Sequence, residues 1–113
     1  MKVSDILRVK GSTLFTVTPD QNLSDAAATM AEHDIGSLVV MEHGDLAGML
    51  TFREVIQGTV RNGGTFGNLS VRAVMDDHPM TCTPETDIDE VRRMMLNRHA
   101  RYMPVMTDKT LMG

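Results

Sequence analysis

The sequence predicts an α+β fold of mixed helix and strand: two tandem β-α-β-β-α repeats, packed with pseudo-twofold symmetry, the second shorter than the first. Three observations predict it. The first is a self-match: Thr16–Gly48 aligns with Thr81–Gly113 without a gap at an offset of 65, with eight of 33 positions identical, where average residue usage would give roughly two. The second is an apolar stripe at helical spacing in each copy. The third is a pair of apolar runs around a short polar turn, again in each copy. Two copies of one supersecondary unit, each too small to bury its own apolar face, are expected to pack on each other and leave related clefts between them.

In the first copy Leu14–Thr18 reads as a short strand that Pro19 keeps from extending. Asn22 is a good helix N-cap and Asp25 an acid in the first turn, while Leu23, Ala26, Ala27, Met30 and Ala31 form the buried stripe. Ser37–Met41 and Leu46–Leu50 then read as a hairpin, with Gly44 free to take the positive φ of a tight turn. A short helix, Phe52–Gln57, follows. The polar, glycine-rich stretch from Gly58 to Ser70 reads as the connection between the copies. The second copy repeats the plan: Asp87 as cap, Glu90 at the capping-box position, Ile88, Val91, Met95 and Leu96 on the buried face, and a hairpin from Met103–Met106 to Thr110–Gly113. The repeats are therefore set at residues 1–58 and 71–113, with 59–70 as linker. The opening segments Val3–Leu7 and Val71–Met75 match at an offset of 68, because the first copy carries three extra residues around Lys10–Ser12.

Composition narrows the function. With 113 residues, 42% hydrophobic and 4% aromatic, the chain reads as one soluble domain with an aliphatic and methionine core. Its apolar runs are far shorter than the ~20 residues a membrane span needs, and Met1–Gly11 lacks a signal-peptide segment, so the cytoplasm is the default expectation. The net charge of −4 disfavours nucleic acid as a partner. A lone Cys82 and four scattered histidines, His33, His43, His78 and His99, give neither a disulfide nor a metal-ligand spacing. Arg92, Arg93, Arg98 and Arg101 crowd one stretch; the first two read as a solvated helix face, whereas Arg98 and Arg101 sit at a helix exit. Asp76-Asp77-His78 is an acid and histidine cluster beside Pro79 with no nucleophile arranged near it, so a turn accounts for it and no catalytic residues are assigned.

The segment that can carry chemistry is Gly48-Met-Leu-Thr-Phe-Arg-Glu54. A strand ending at Leu50 delivers Thr51 to a helix start, where unpaired amides and the positive end of the dipole attract an anion. Thr51 adds a hydroxyl and Arg53 a charged fork for phosphate oxygens, and Glu54 can accept from a vicinal diol. The same Thr-x-x-Glu pattern is also that of a capping box, in which Thr51 and Glu54 satisfy each other's backbone amides.

The duplicated order, with VSDIL and VRAVM opening the copies, TVTP and TCTP before the helices, IGSLVV and ARYMPV on the middle strands and GMLTFREV closing copy one, resembles the tandem pair of cystathionine-β-synthase-type (CBS) domains called a Bateman module, in its small stand-alone bacterial form. That resemblance implies a non-catalytic regulatory module with an adenosine nucleotide, AMP, ADP, ATP or NAD(H), in a cleft between the repeats. It places Thr51 on phosphate and Glu54 on ribose, where the family pattern has Asp. Met80, Ala100, Arg101 and Tyr102 would complete that cleft, with Met80 against the base, and Phe15, Ile35 and Gly36 would line a weaker second one. The second cleft lacks a closing hydroxyl and acid, because Gly113 aligns with Gly48 and the counterparts of Met49–Ile56 are absent; the chain therefore reads as cut from a longer protein. The resemblance also implies a homodimer through the helices and an unidentified protein target. The alternative is a nucleotide-independent interaction scaffold or the regulatory fragment of a larger protein, which Glu54 in place of Asp favours.

Overall fold

A computed structural model describes residues 1–11 and 13–113; Ser12, within the expected insertion, lies outside the described residues. Packing divides the chain into two compact units, residues 15–78 and residues 1–14 with 79–113.

In the first unit the chain runs through β1 (Thr16–Val17), α2 (Leu23–His33), β2 (Ser37–Glu42), β3 (Asp45–Thr51), α3 (Phe52–Arg61) and α4 (Val71–Val74). Its sheet has the order β1-β2-β3, with β1 parallel and β3 antiparallel to β2. Glu42 pairs with Asp45 around a two-residue turn in which both His43 (φ 53°) and Gly44 (φ 82°) are left-handed, the geometry whose twist matches that of the flanking strands. The core joins Val17, Leu23, Ala26, Met30, Leu38, Val40 and Leu50 to Val71. Val71 belongs to the opening segment of the second sequence copy. Its short helix is tied to the first copy by backbone bonds from Val71 N to Gln21 O and from Arg72 N to Pro19 O, both 2.9 Å, and by an Arg72 fork to Glu42 and Asp20.

The second unit mirrors this exchange. α1 (Val3–Lys10) opens the first copy yet packs with α5 (Ile88–Arg98) and the hairpin of β4 (Met106–Thr107) and β5 (Thr110–Leu111). Its core is Val3, Cys82 and Val105, flanked by Leu7, Ile88, Val91 and Met103. Cys82 forms an isolated parallel bridge to Val105.

Several sequence expectations shift. The first strand shrinks from Leu14–Thr18 to Thr16–Val17, because only those two residues find register with Val39 and Val40. Asn22 holds the N-cap position, but it is its carbonyl that accepts, from Asp25 N and Ala26 N, while its side chain makes no cap bond. Asp87 does cap α5, accepting from Asp89 N at 2.9 Å. Ala31 and Leu96 are exposed rather than buried, each lying at the margin of its stripe. α3 does not stop at Gln57: it continues to Arg61 through a buried Gly58, so the expected connection at Gly58–Ser70 begins only after the helix. Glycine is tolerated inside this helix because α4 presses on it. A Cβ at residue 58 would stand 2.4 Å from Val74 Cγ1.

Candidate functional site

The junction of β3 and α3 builds the site. Thr51 ends the strand, opposite Ser37, and serves as N-cap of α3 with extended backbone. The next amide, Phe52 N, donates to Gly36 O at 3.2 Å, so the helix starts against the entry to β2. Glu54, one turn on, folds back: its Oε1 accepts from both Thr51 N and Thr51 Oγ1, each at 2.7 Å. Thr51 Oγ1 in turn accepts from Arg53 N at 3.2 Å. The capping box is therefore formed. It engages one carboxylate oxygen; Glu54 Oε2 accepts nothing from the described residues. Thr51 and Glu54 are half-buried and Arg53 is exposed.

The structure brings Thr51, Arg53 and Glu54 together within residues 15–78, and places Phe15, Ile35 and Gly36 in that same unit. Gly36 adjoins the junction through its carbonyl. Phe15 stacks on His33, with ring centroids 4.1 Å apart, so one face of its ring is already covered. Met80, Ala100, Arg101 and Tyr102 belong to the other unit. There Arg101 and Tyr102 follow the left-handed His99 cap of α5, and Ala100 N is fixed to Met95 O at 2.9 Å; α2 ends in the same way, at left-handed Asp34 with Ile35 N on Met30 O. The two copies thus present matched helix exits, uncharged at Gly36-Ser37 and cationic at Arg101.

Elsewhere the titratable groups serve local structure. His78 N donates to Asp76 Oδ1 at 3.0 Å and His78 Nδ1 meets Asp77 Oδ1 at 2.7 Å on the surface. Burial pushes the Cys82 thiol pKa up, which leaves little thiolate and a poor nucleophile. Among the described residues no His, Cys, Asp and Glu group is disposed to hold a metal ion, and no helix is long and apolar enough to cross a membrane. Sequence reasoning missed Gln57 and Arg61, which share with Glu54 one face of α3 and line a groove there. Their i, i+3, i+7 spacing was the available signal.

Comparison with known proteins names the duplicated plan. The CBS domain model matches residues 3–60 and 71–113; the chain belongs to the CBS domain family. It is 31% identical over 98 residues to the CBS domain-containing protein YhcV of Bacillus subtilis, covering 87% of this chain and 69% of that one. It is 29% identical over 120 residues to the mitochondrial CBS domain-containing protein CBSX3 of Arabidopsis thaliana, covering 98% of this chain but spanning only 58% of that relative. A CBS-domain containing protein from Agrobacterium tumefaciens, 29% identical, superposes with a TM-score of 0.94 over 100% of this chain and 90% of its own. At 23% identity the fold alone is shared with the CBS domain pair of protein MJ0100, with a TM-score of 0.86 over 100% of this chain and 90% of that one; that pair was solved in complex with 5′-methylthioadenosine and S-adenosyl-L-methionine.

Proposed function

We propose that this chain is a non-catalytic regulatory module that senses an adenosine nucleotide, AMP, ADP, ATP or NAD(H), at the start of α3. The observation that carries the reading is Glu54: one oxygen caps the helix while the other accepts nothing from the described residues, beside Thr51 and Arg53. With Oε1 still on the Thr51 amide, Oε2 accepts a ribose hydroxyl, and the Thr51 hydroxyl turns from Glu54 to a phosphate oxygen, joined by the Arg53 guanidinium. Glutamate thus combines capping and ligand binding, which answers its presence where the family pattern has aspartate. The adenosine moiety of the ligands in the MJ0100 complex supports the same ligand class. Met80, Ala100, Arg101 and Tyr102 are proposed as further contacts to the nucleotide, and Phe15, Ile35 and Gly36 as a weaker subsite.

Calorimetric titration with the four nucleotides tests this. Glu54→Ala should weaken the tightest of them by about 1.5–3 kcal/mol, the worth of a hydrogen bond to a charged acceptor, roughly ten- to a hundredfold in Kd. Unchanged affinity in that variant, with its circular dichroism intact, returns Glu54 to a capping role alone.

A second reading, a homodimer through the helices, is favoured by the outer face of α3. Phe52, Ile56 and Val60 are 54%, 62% and 70% exposed and recur every four residues, a continuous apolar row. Self-association by a twofold axis covers such a row with itself. Sedimentation at micromolar concentration should give twice the 12.5 kDa of one chain, and Ile56→Glu should return the monomer. A monomer in the parent chain refutes the dimer without touching the nucleotide reading.

A further inference from the structure

Two polar residues on the inner flank of α3, Gln57 and Arg61, have no assigned role. Glu54, Gln57, Gly58 and Arg61 fall at i, i+3, i+4 and i+7 and so share one face of the helix. Opposite them runs the segment 69–75, and the two flank a half-open groove of about 300 Å³, the lower end of the range for small-molecule sites.

The chemistry of this groove is divided. Its α4 side is apolar and half-buried: Leu69, Val74 and Met75 all pack against the core of residues 15–78. This wall is held in place, since Val74 abuts the α3 backbone at Gly58 and Asp76, next to Met75, is bonded to Met49 in both directions at 2.9 Å. Its α3 side is polar. Arg8, Arg72 and Arg92 are each paired with a carboxylate, but the side chains of Arg61 and Gln57 make no hydrogen bond or ion pair with any described residue. Arg61 stands two helical turns from Glu54, about 10 Å along the axis, so the cation occupies the end of the groove away from the acid. A fixed apolar wall facing an unpaired guanidinium and a carboxamide suits a solute with an apolar body and one anionic end.

We propose that the groove between α3 and segment 69–75 binds a small amphipathic organic anion, a carboxylate or phosphate monoester, with its apolar body on Leu69, Val74 and Met75 and its anion on Arg61 and Gln57. This site borders the proposed ribose position through Glu54, but its anion position at Arg61 and Gln57 lies away from Thr51 and Arg53, and its test does not depend on that reading.

The test is a methyl NMR titration of the full chain with phenylacetate, phenyl phosphate and the neutral benzyl alcohol. At least one anion should shift the Leu69, Val74 and Met75 methyls, saturating below about 10 mM, with benzyl alcohol at least about tenfold weaker; the tighter anion identifies the headgroup. Arg61→Gln, whose melting temperature should match the parent, should weaken that anion about tenfold and leave benzyl alcohol unchanged. No methyl shift up to about 10 mM, equal binding of the neutral probe, or an Arg61→Gln chain that binds the anions as well as the parent would each overturn the proposal. The Thr51 methyl serves as a separate monitor: shifts confined to it belong to the α3 N-terminus and count against an anion in this groove.

Discussion

Gly48→Val should lower the melting temperature by about 8–12 °C, and the cause is a close backbone approach rather than a turn. Gly48 lies within β3, opposite Val40. A Cβ built there would stand 2.4 Å from the Asp76 carbonyl oxygen and 3.2 Å from Met75 Sδ. The thioether can swing aside. The carbonyl cannot, because it accepts from Met49 N at 2.9 Å while Asp76 N donates back to Met49 O at 2.9 Å, so relief must come from opening this two-bond bridge. Overpacking of this kind costs about 1–3 kcal/mol, and weakening two backbone bonds adds about 0.5–1.5 kcal/mol each. The strand preference of valine returns at most about 1 kcal/mol. A net loss of about 2–3 kcal/mol corresponds to about 4 °C per kcal/mol in a chain of this size. Gly44→Asn provides the contrast: Gly44 has φ 82° with no atom within 4 Å of its added Cβ, and asparagine tolerates the left-handed region, so its melt should stay close to the parent's. A Gly48→Val chain that melts within about 2 °C of the parent would show that the Asp76 segment does not hold β3.

The duplicated α+β plan was legible because it rests on short-range signals. The α2 stripe put Leu23, Ala26 and Met30 in the core, and His43-Gly44 marked its own turn. Where the reading failed, the deciding partner lies far along the chain. Gly58 punctuates a sequence, yet it sits inside α3 because Val74 fills the space a side chain would take. Leu96 has the apolar character of a buried position but lies on a margin of α5 that the described residues do not cover, and it is 70% exposed. The exchange of opening helices was hidden for a related reason: alignment records which residues were duplicated, whereas burial depends on which apolar faces meet. At the site, Thr51, Arg53 and Glu54 could be picked out as a strand-to-helix junction, but the choice between capping and ligand contact could not be made, since both use the same hydroxyl and carboxylate. The geometry shows that capping engages only one oxygen of Glu54. Gln57 and Arg61 drew no assignment from the sequence because the groove they line is completed by segment 69–75, at least eight residues further on.

Val71→Asp should strip residues 15–78 of a large share of their stability, even though the alignment assigns Val71 to the second copy. Val71 is fully buried among Leu23, Met30 and Leu50. The chain around it is anchored on the first copy by Leu23 N to Leu69 O at 2.8 Å, by Val71 N to Gln21 O at 2.9 Å and by the bridge between Asn22 and Ser70, so the new side chain cannot leave the core without breaking these bonds. A carboxylate there meets apolar side chains, and the adjacent Arg72 guanidinium is already engaged by Glu42 and Asp20. Losing a buried valine removes about 1.5–3 kcal/mol, and an unpaired buried polar group adds several more. The total, about 4 kcal/mol or more, is a large share of the 5–15 kcal/mol by which small domains are typically stable. Amide hydrogen exchange should therefore show β1, β2, β3 and α2 losing protection together, while Val71→Ala, which leaves no charge, costs about 2 kcal/mol and keeps them protected. If Val71→Asp instead loosens only amides in residues 79–113, the opening segment of the second copy belongs to its own repeat and the exchange of opening helices is wrong.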